Sequence, residues 1–570
     1  MTRFLPIAEW LPRYERAALV PDLLAGLTVW ALLVPEAMAY AELAGMPPET
    51  GLYAGFGALV AYALFSTSRQ VTVGPSSTVA ILSAATVAAV AGDADRVQLS
   101  ITLALLVGVV FIVAGIARFG FVSVFLSPPV MVGFTFGLGV TIAVGQLDKL
   151  LGIEAESGNV AEQVLSIIGH VGDADARTVV IGASSLVALL AARALLGHRI
   201  PVALGLVALT IALSVAFGWE ADGVHVVGEI PAEVPSLTTP EVGLSDVGAL
   251  VPGAIGIVLV AFAEGYGAAQ GIARRHGYRV DPDREMVATG AANLGSGLLG
   301  GFTVDGSLSR SAAADEAGAR TQMAMLLCAA AVLATIWVLT PLFEPLPEAV
   351  LGAIVIAAVT GTFRVGEMRR IRSIRTGDFA AALVALLGVC LIGILPGLAI
   401  AVGISFVMLV YRASRPNMPR LGIVEGQHGY VATTNEGAEQ PTEVAVLRLD
   451  APLFFANAEA FGDRVAALLA EEPRPRAVVI DLETVNFVDT GGADALGEVV
   501  AQLRAAGTGV AVARLNAEGR EVLTRAGVAA AIGTEGFHPS VQDAVLALRD
   551  RPHGVSLSED DAGHPDHGED

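Results

Sequence analysis

Charge is scarce in this chain, and lysine is nearly absent. Only 16% of the 570 residues are charged, and Lys149 is the single lysine. Soluble globular proteins carry roughly 25% charged residues, so this composition points away from that class at the outset. Cysteine is equally sparse: Cys328 and Cys390 both lie in apolar segments without a metal-ligand spacing, and they read as small hydrophobes. A disulfide framework and a metal centre are therefore not expected. Acidic residues outnumber basic ones, 56 to 34, for a formal charge of -22, which makes nucleic acid a poor partner. The first residues, MTRFLPIAEWLPRYERAALV, lack the basic start, unbroken apolar core and small-residue cleavage site of a secretory signal. They read instead as an amphipathic segment, 1–21, lying on the membrane.

What is abundant is apolar surface. Hydrophobic residues make up 54% of the chain and the mean hydropathy is +0.65. Apolar runs of about 20 residues, each long enough to cross roughly 30 Å of hydrocarbon, recur from about residue 23 to 415. The basic residues orient these runs, because Lys and Arg are retained on the cytoplasmic side. With the N-terminus inside, Arg13, Arg16, Arg69, Arg118, Arg193, Arg199, the cluster RRHGYR at 274–279, the run RVGEMRRIRSIR at 364–375, Arg412 and Arg415 all fall inside. Only Arg96, Lys149 and Arg177 fall outside, and Arg310 on neither side. This pattern predicts fourteen membrane segments with both termini cytoplasmic. The preponderance of arginine over lysine, with abundant Ala and Gly, suggests a GC-rich bacterial genome and a plasma (inner) membrane location.

Two segments are too short to span as helices. The third opens RQVTVGPSSTVAILSAATVAA: a β-branched extended stretch, a Gly-Pro break, then a short helix over 76–90 starting at Ser76 or Ser77. The tenth, GGFTVDGSLSRSAAADEAGAR, repeats that design with a helix over 307–319. Seven segments separate them, and seven is odd, so the second half of the chain runs through the membrane inverted. Paired interrupted segments in inverted halves point to a transporter's midplane binding site. The two half-helices would face each other with their N-termini, whose free N–H groups and partial positive charge favour an anion. Arg310, on the first turn of the second, adds a full charge and a rigid fork of donors suited to carboxylate, bicarbonate or sulfate. An arginine near the bilayer centre costs at least ~3 kcal/mol on insertion scales, which makes it a functional candidate. The structural reading beside this one has Arg310 paired with an acid, Asp305 or Glu264. Glu264 itself sits deep in the eighth segment beside Gly265 and Gly267. Gln146, Asp148 and Asn293 read as capping or interfacial residues, His198 and His276 as loop charges, and Phe134 and Phe136 as packing between helices.

After residue 420 the pattern turns to soluble α/β. EVAVLRL, PRAVVIDLETV and GVAVARLN alternate with helical stretches, implying a mostly parallel sheet covered by helices. The tail SLSEDDAGHPDHGED reads as a solvated acidic end, 553–570. No phosphate-cradling loop, catalytic triad or metal spacing appears, so the chain does not read as an enzyme and no cofactor is expected.

The segments DLLAGLTVWALLVPEAMAYAELAGMPPETGLYAG at 22–55, STSRQVTVGPSSTVA at 66–80, AFAEGYGAA at 261–269 and GSLSRSAA at 306–313 resemble the SulP family of sulfate-permease-like anion transporters, relatives of prestin and the animal anion exchangers. The motif VDTGGADAL resembles the STAS domain that ends such transporters. The resemblance implies a seven-plus-seven inverted repeat of core and gate, with repeats at about 22–218 and 245–415 inside a transport domain of 22–418. It implies a cytoplasmic STAS domain over 419–552 and a homodimer in the lipid bilayer. Carried over residue by residue, it places the anion among Glu36, Tyr40, Ser76, Ser77, Ser307, Leu308, Ser309 and Arg310. Glu36 stands where the family often has Gln and Tyr40 where it often has Phe, so an ionised Glu36 would repel the anion unless Arg310 or a proton neutralises it. An acid at Glu264 serves cation coupling in related transporters. With Gly and Tyr as its neighbours and no Ser or Thr close by in the same helix, a proton is preferred to sodium. In anti-sigma-factor antagonists a Ser or Thr at the position of Thr490 is phosphorylated, but adjacent Asp489 would oppose phosphate there, and Thr490 reads more simply as a helix cap.

The expectation is a secondary active transporter of a small anion, bicarbonate, sulfate or a C4-dicarboxylate, by proton-coupled symport and alternating access. A sodium-coupled symporter or anion exchanger, and a membrane anion sensor signalling through its STAS domain, stand as alternatives. A nucleobase permease fits less well, because its site would use acids rather than Arg on the tenth segment.

Overall fold

A computed structural model describes residues 5–550 apart from short stretches at 92–94, 125–126, 155, 157, 197–201, 232–234, 241, 427–428, 440 and 442. The acidic tail and His198 lie outside the described residues. The chain divides into two compact units, residues 1–406 and 407–570.

The first unit opens with α1 (Ile7–Trp10) and then runs α2 (Leu19–Leu43), α3 (Pro48–Phe65), β1 (Val73–Gly74), α4 (Ser77–Val90), α5 (Arg96–Ile116), α6 (Pro128–Gly145), α7 (Leu147–Leu151), α8 (Val160–His170), α9 (Ala176–Leu196) and α10 (Val202–Phe217). A second series follows: α11 (Leu244–Arg275), α12 (Pro282–Leu298), β2 (Asp305–Gly306), α13 (Leu308–Glu316), α14 (Met323–Ala334), α15 (Glu348–Val359), α16 (Val365–Ile374), α17 (Thr376–Ile392) and α18 (Ile394–Ser414). Among the described residues, eight helices are long and apolar enough to cross a membrane, and α4, α10 and α17 are shorter apolar ones. With α3, α12 and the half-helix α13 they make the expected fourteen segments, seven in each series.

The helices sort into two bundles by what they touch. α2–α5 pack with α11–α14, while α6 packs with α17 and α9 with α15; α2 also meets α10 and α15 across the divide. Small residues allow the closest approaches. A Cβ on Gly57 would lie 2.3 Å from Gly295 O, and one on Gly133 would lie 1.9 Å from Ala382 O, so α3 meets α12 and α6 meets α17 backbone to backbone. Such contacts are the usual means by which helices associate in lipid, where burial of apolar side chains brings no gain.

The extended stretches before α4 and α13 pair with each other. Val73 faces Gly306 and Gly74 faces Asp305 in antiparallel register, the direction that inverted halves require. Their backbone groups need partners because lipid offers none. Thr72 O accepts from Ser307 N at 3.0 Å, and Thr72 N donates to Ser311 Oγ at 3.0 Å. Asn293 lies fully buried within α12 and clamps Val304, donating to its carbonyl and accepting from its amide at 2.9 and 3.0 Å. The expectation of an interfacial cap at Asn293 is therefore corrected: its two-sided amide matches an extended peptide unit that has no strand neighbour. Glu285 does similar work on 66–68, accepting from Tyr62 Oη at 2.5 Å, Thr67 N at 2.8 Å, Thr67 Oγ1 at 2.6 Å and Ser68 N at 3.1 Å. Near the amphipathic segment, Asp22 accepts from Arg320 N and Thr321 Oγ1 in the turn that precedes α14, and Tyr14 donates to it at 3.1 Å.

In the second unit, β3 (Arg420–Val424), β4 (Tyr430–Ala432), β5 (Ala438–Glu439) and β6 (Val444–Arg448) precede α19 (Ala458–Leu469), β7 (Ala477–Asp481), α20 (Thr490–Ala505), β8 (Gly509–Ala513), α21 (Ala517–Arg525), α22 (Val528–Ile532), β9 (Phe537–His538) and α23 (Val541–Arg549). The sheet order is β4-β3-β6-β7-β8-β9 with β5 on β3, and β6 to β9 run parallel. The continuous apolar runs of β7 and β8 are buried on both faces, as parallel strands require. Asp481, fully buried at the end of β7, holds Arg448 and Arg514 at 2.7 and 2.5 Å and so ties together the carboxyl ends of three strands. Asp489, not Thr490, caps α20: its Oδ1 accepts from Gly492 N at 2.7 Å and its Oδ2 from Phe455 N at 3.2 Å. The aspartate one residue earlier reaches the amides that a cap must satisfy, and Thr490 becomes the exposed first residue of the helix.

Candidate functional site

A cavity of about 1250 Å³ separates the two bundles. One wall carries Glu36, Tyr40, the tips of α4 and α13, and Glu264 of α11. The opposite wall comes from α6, α9, α10 and α15, and reaches Arg364 and Glu367 at the start of α16. The cavity thus runs from the half-helix tips to the ends of the helices that carry the basic loops.

Both tips follow from local sequence. Ser76 takes an extended conformation, φ -139° and ψ 157°, and α4 starts at Ser77. The first amides of a helix have no intrahelical acceptor, so Ser77, Thr78 and Val79 offer three N–H groups. Ser307 is extended likewise at ψ 116°, and its Oγ accepts from Arg310 N at 3.4 Å, leaving the amides of Leu308 and Ser309. α13 ends at Glu316, three residues before the expected end. Leu308, 53% exposed, projects into the cavity, and Ser309 Oγ lies 3.3 Å from Ser307 Oγ. Tyr40 is buried on α2 close to Ser77. All eight expected anion-site residues line this one cavity.

Arg310 is not free to meet an anion with its whole fork. Its side chain is 1% exposed; Nη1 donates to Glu36 Oε2 at 2.9 Å and Nη2 to Pro75 O at 2.6 Å, while Nε has no partner. Of the acids, it is Glu36, rather than Asp305 or Glu264, that pairs with the arginine. Pro35 precedes Glu36 inside α2 and removes one backbone donor there. The guanidinium lies over Gly74, whose absent side chain leaves Nη2 3.6 Å from the place a Cβ would occupy.

Glu264 is reached from another helix. Thr78 Oγ1, on the first turn of α4, donates to its Oε1 at 3.5 Å. The sequence offered no hydroxyl on Glu264's own helix, and the fold supplies one from the opposite repeat. Asp305, not singled out as a site residue by the sequence, lines the same cavity and is fully buried. His276 pairs with Asp315, Nε2 to Oδ1 at 2.5 Å, tying the end of α11 to the end of α13 rather than standing as a loop charge. On the side away from the basic loops, Lys149 of α7 forms an ion pair with Glu42 near the end of α2, the side chains 24% and 13% exposed. Gln146 ends α6 as a buried C-cap, Asp148 sits in the first turn of α7, and Phe136 packs on Phe363 at 5.4 Å between centroids. Among the described residues no group of three or more acidic, histidine or cysteine side chains is arranged to hold a metal ion.

Similarity to known proteins covers nearly all of the chain. The sulfate permease family matches residues 19–385 and the STAS domain residues 437–544. Probable sulfate transporter MT1781 of Mycobacterium tuberculosis is 35% identical over 554 residues, covering 95% of this chain and 99% of that protein. Human solute carrier family 26 member 6 is 34% identical over 492 residues, covering 81% of this chain and 64% of that one. Among solved structures, the murine Slc26a9 anion transporter in its inward-facing state superposes with a TM-score of 0.87 at 25% identity, covering 96% of this chain and 94% of that one.

Proposed function

Because the chain belongs to the sulfate permease family, with a C-terminal STAS domain, we propose that it is a secondary active transporter that carries a small oxyanion between the tips of α4 and α13 by alternating access. The observation that carries this reading is the opposed pair of helix N-termini, joined by β1 and β2 and open to a cavity between two bundles. Five first-turn amides and two helix dipoles converge there, a donor set for an anion and not for a neutral base. Sulfate stands first among the candidates because relatives with full-length similarity are named as sulfate transporters; bicarbonate and C4-dicarboxylates suit the same donors.

The bundle that bears the tips acts as the mobile core, and α6, α9, α10, α15, α17 and α18 as the gate. With the basic loops and both termini cytoplasmic in a bacterial inner membrane, the cavity is open inward and the Lys149–Glu42 pair lies on the closed outer side. Glu36 neutralises Arg310 in this state, so an incoming anion competes with Glu36 for the guanidinium. Glu264, deep in the core, carries the coupling cation. A proton remains the preferred one, although the approach of Thr78 removes the argument that hydroxyl ligands are lacking. The homodimer, and a regulatory STAS domain with Thr490 unmodified, complete the reading.

Thermal unfolding of the purified protein against a panel of anions tests it, with Arg310→Ala beside the wild type. The transported anion should stabilise the wild type more than the variant, and uptake of that anion into liposomes should require the cation gradient. An anion that stabilises both equally does not use this site.

A further inference from the structure

Two acid–glycine pairs meet inside the core. Glu264-Gly265 lies in the second half of α11, and Asp305-Gly306 forms β2. A Cβ on Gly306 would lie 2.6 Å from Gly265 Cα, and one on Gly265 3.2 Å from Gly306 N, so the two backbones touch. The carboxylates just before these glycines are therefore carried to the same wall of the cavity, which both of them line. Asp305 is 0% exposed, and neither Oδ1 nor Oδ2 has a hydrogen-bond partner. Ser76 Oγ, at the tip of α4, is buried and unpartnered as well. Glu264 has only the long hydrogen bond from Thr78 at 3.5 Å.

A buried carboxylate without donors is expensive, and two side by side add mutual repulsion. The surrounding elements offset that expense only in part: Ser76 and Arg310 lie within electrostatic reach of Asp305, but neither forms a hydrogen bond to its carboxylate oxygens. Arg310 is committed to Glu36 and Pro75 O. Tyr40 on α2 is within electrostatic reach of Asp305, and Arg364, across the cavity on the gate, is within reach of Glu264. The remaining cavity acids, Glu316 and Glu367, are negative themselves. Buried polar atoms that lack partners call for an occupant.

We propose that Asp305 is the second carboxylate of the coupling site, and that Glu264 and Asp305 hold one monovalent cation, a proton or a sodium ion, between them. This rests on the transport reading above and assigns its cation to a pair of side chains rather than to Glu264 alone. The Thr78 and Ser76 hydroxyls supply further oxygen donors, and an all-oxygen set suits a hard cation. One positive charge leaves the pair with a single negative charge. Both Ser76 and Thr78 belong to the α4 tip that also faces the anion, so filling the cation seat orders one side of the anion seat. That shared element is the physical link between the two ligands.

The test is thermal unfolding of the purified full chain, in sodium chloride and in N-methylglucamine chloride, from mildly acidic to mildly alkaline buffer. Sodium binding would raise the unfolding temperature with sodium in alkaline buffer; proton binding would raise it with acid in either salt. In both cases Asp305→Asn and Glu264→Gln should each be more stable than the wild type in sodium-free alkaline buffer, because each removes one of two repelling charges. Each should also blunt the response to the cation. In liposomes, Asp305→Asn should lower gradient-driven anion accumulation by about tenfold or more, within the usual range of coupling between two sites. An Asp305→Asn protein that is destabilised in sodium-free alkaline buffer and keeps the wild-type cation response would overturn the proposal while leaving Glu264 as a lone coupling acid. A wild type that moves no anion under any gradient or by exchange would instead defeat the transport reading, and the unfolding measurements would still decide the cation seat.

Discussion

Removing the carboxylate of Glu42 should open the outer side of the cavity. Glu42 lies on a core helix and Lys149 on the short helix that follows α6 of the gate, and their ion pair joins the two bundles on the face away from the basic loops. Lys149 is also held against α15, since a Cβ on Gly352 would lie 3.4 Å from its Cβ. With side chains 13% and 24% exposed, the pair falls between the exposed class, worth roughly 0.2–1 kcal/mol, and the buried class, whose breaking costs roughly 3–5 kcal/mol. About 1.5 kcal/mol is the reasonable figure, and this corresponds to about a tenfold shift in the inward-to-outward ratio. The assay uses Leu308→Cys, which places a thiol in the cavity, in a Cys328→Ala, Cys390→Ala background; both native thiols are buried, so their removal guards only against slow reaction. A membrane-impermeant thiol reagent added outside liposomes of known orientation labels Cys at 308 only when the cavity faces outward. Glu42→Gln should raise the outside labelling rate about tenfold and, on the inward-open reading proposed above, lower the inside rate little. The exchanged pair Glu42→Lys, Lys149→Glu should return the rate toward the wild type. An unchanged outside rate in Glu42→Gln would refute the clasp, and a lower one would reverse its sign.

Glu36→Gln should destabilise the protein by about 2–3 kcal/mol, at or just below the bottom of the range for breaking a buried pair because the amide can still accept from Arg310; the transported anion should recover more stability in this variant than in the wild type, read as a larger ligand-induced rise in unfolding temperature. Gly306→Ala places a methyl 2.6 Å from Gly265 Cα and should cost roughly 1–3 kcal/mol and most of the transport. Gly267→Ala meets nothing within 4 Å and should match the wild type in both measurements. In the STAS domain, Asp489→Ala should speed amide exchange in the first turn of α20 by an amount equivalent to about 1 kcal/mol, the usual worth of a cap, whereas Thr490→Ala should leave it unchanged. Asp175, just before α9 and outside the membrane, has its carboxyl held below the usual range by hydrogen bonds from the hydroxyl and then the amide of Thr178. A lowered carboxyl stabilises above its ordinary value near ~3.9 and loses that contribution as pH falls through the lowered one. Exchange in the first turn of α9 should therefore quicken only in strongly acidic buffer, and in Asp175→Ala, which removes the acceptor, should already be fast at neutral pH.

The half-helices were legible because breaking a span leaves local marks: β-branched residues, a glycine or Gly-Pro turn, and serines where a helix must start. The odd interval between them fixed their relative direction, and the antiparallel register of Val73 with Gly306 has the sense that this demanded. Pairings across the chain were not legible. Glu36 and Arg310 stand 274 positions apart, and the residues alone pointed to Asp305 or Glu264 as the arginine's partner, with Glu36 raised only by the resemblance. Asn293 read as a capping or interfacial residue because it lies close to the end of its segment; only the fold brings the extended Val304 beside it. Asp305 was weighed only as a counter-charge, since its lack of donors is a property of what surrounds it. Thr490 was misread as a cap through a one-residue ambiguity that propensity cannot resolve, Asp and Thr both being good caps. The pairing of Glu264 with Thr78 joins opposite repeats and has no local signature at all.

The four residues of β1 and β2 also make the two halves depend on each other. Each strand satisfies its backbone groups on the other repeat, so a lone seven-segment half would expose unpaired peptide groups at the membrane's midplane. A half of this kind would need a second copy inserted the opposite way up to pair its strand. Joining the two halves in one chain supplies that partner at every insertion, so the arginine-rich loops can fix a single topology.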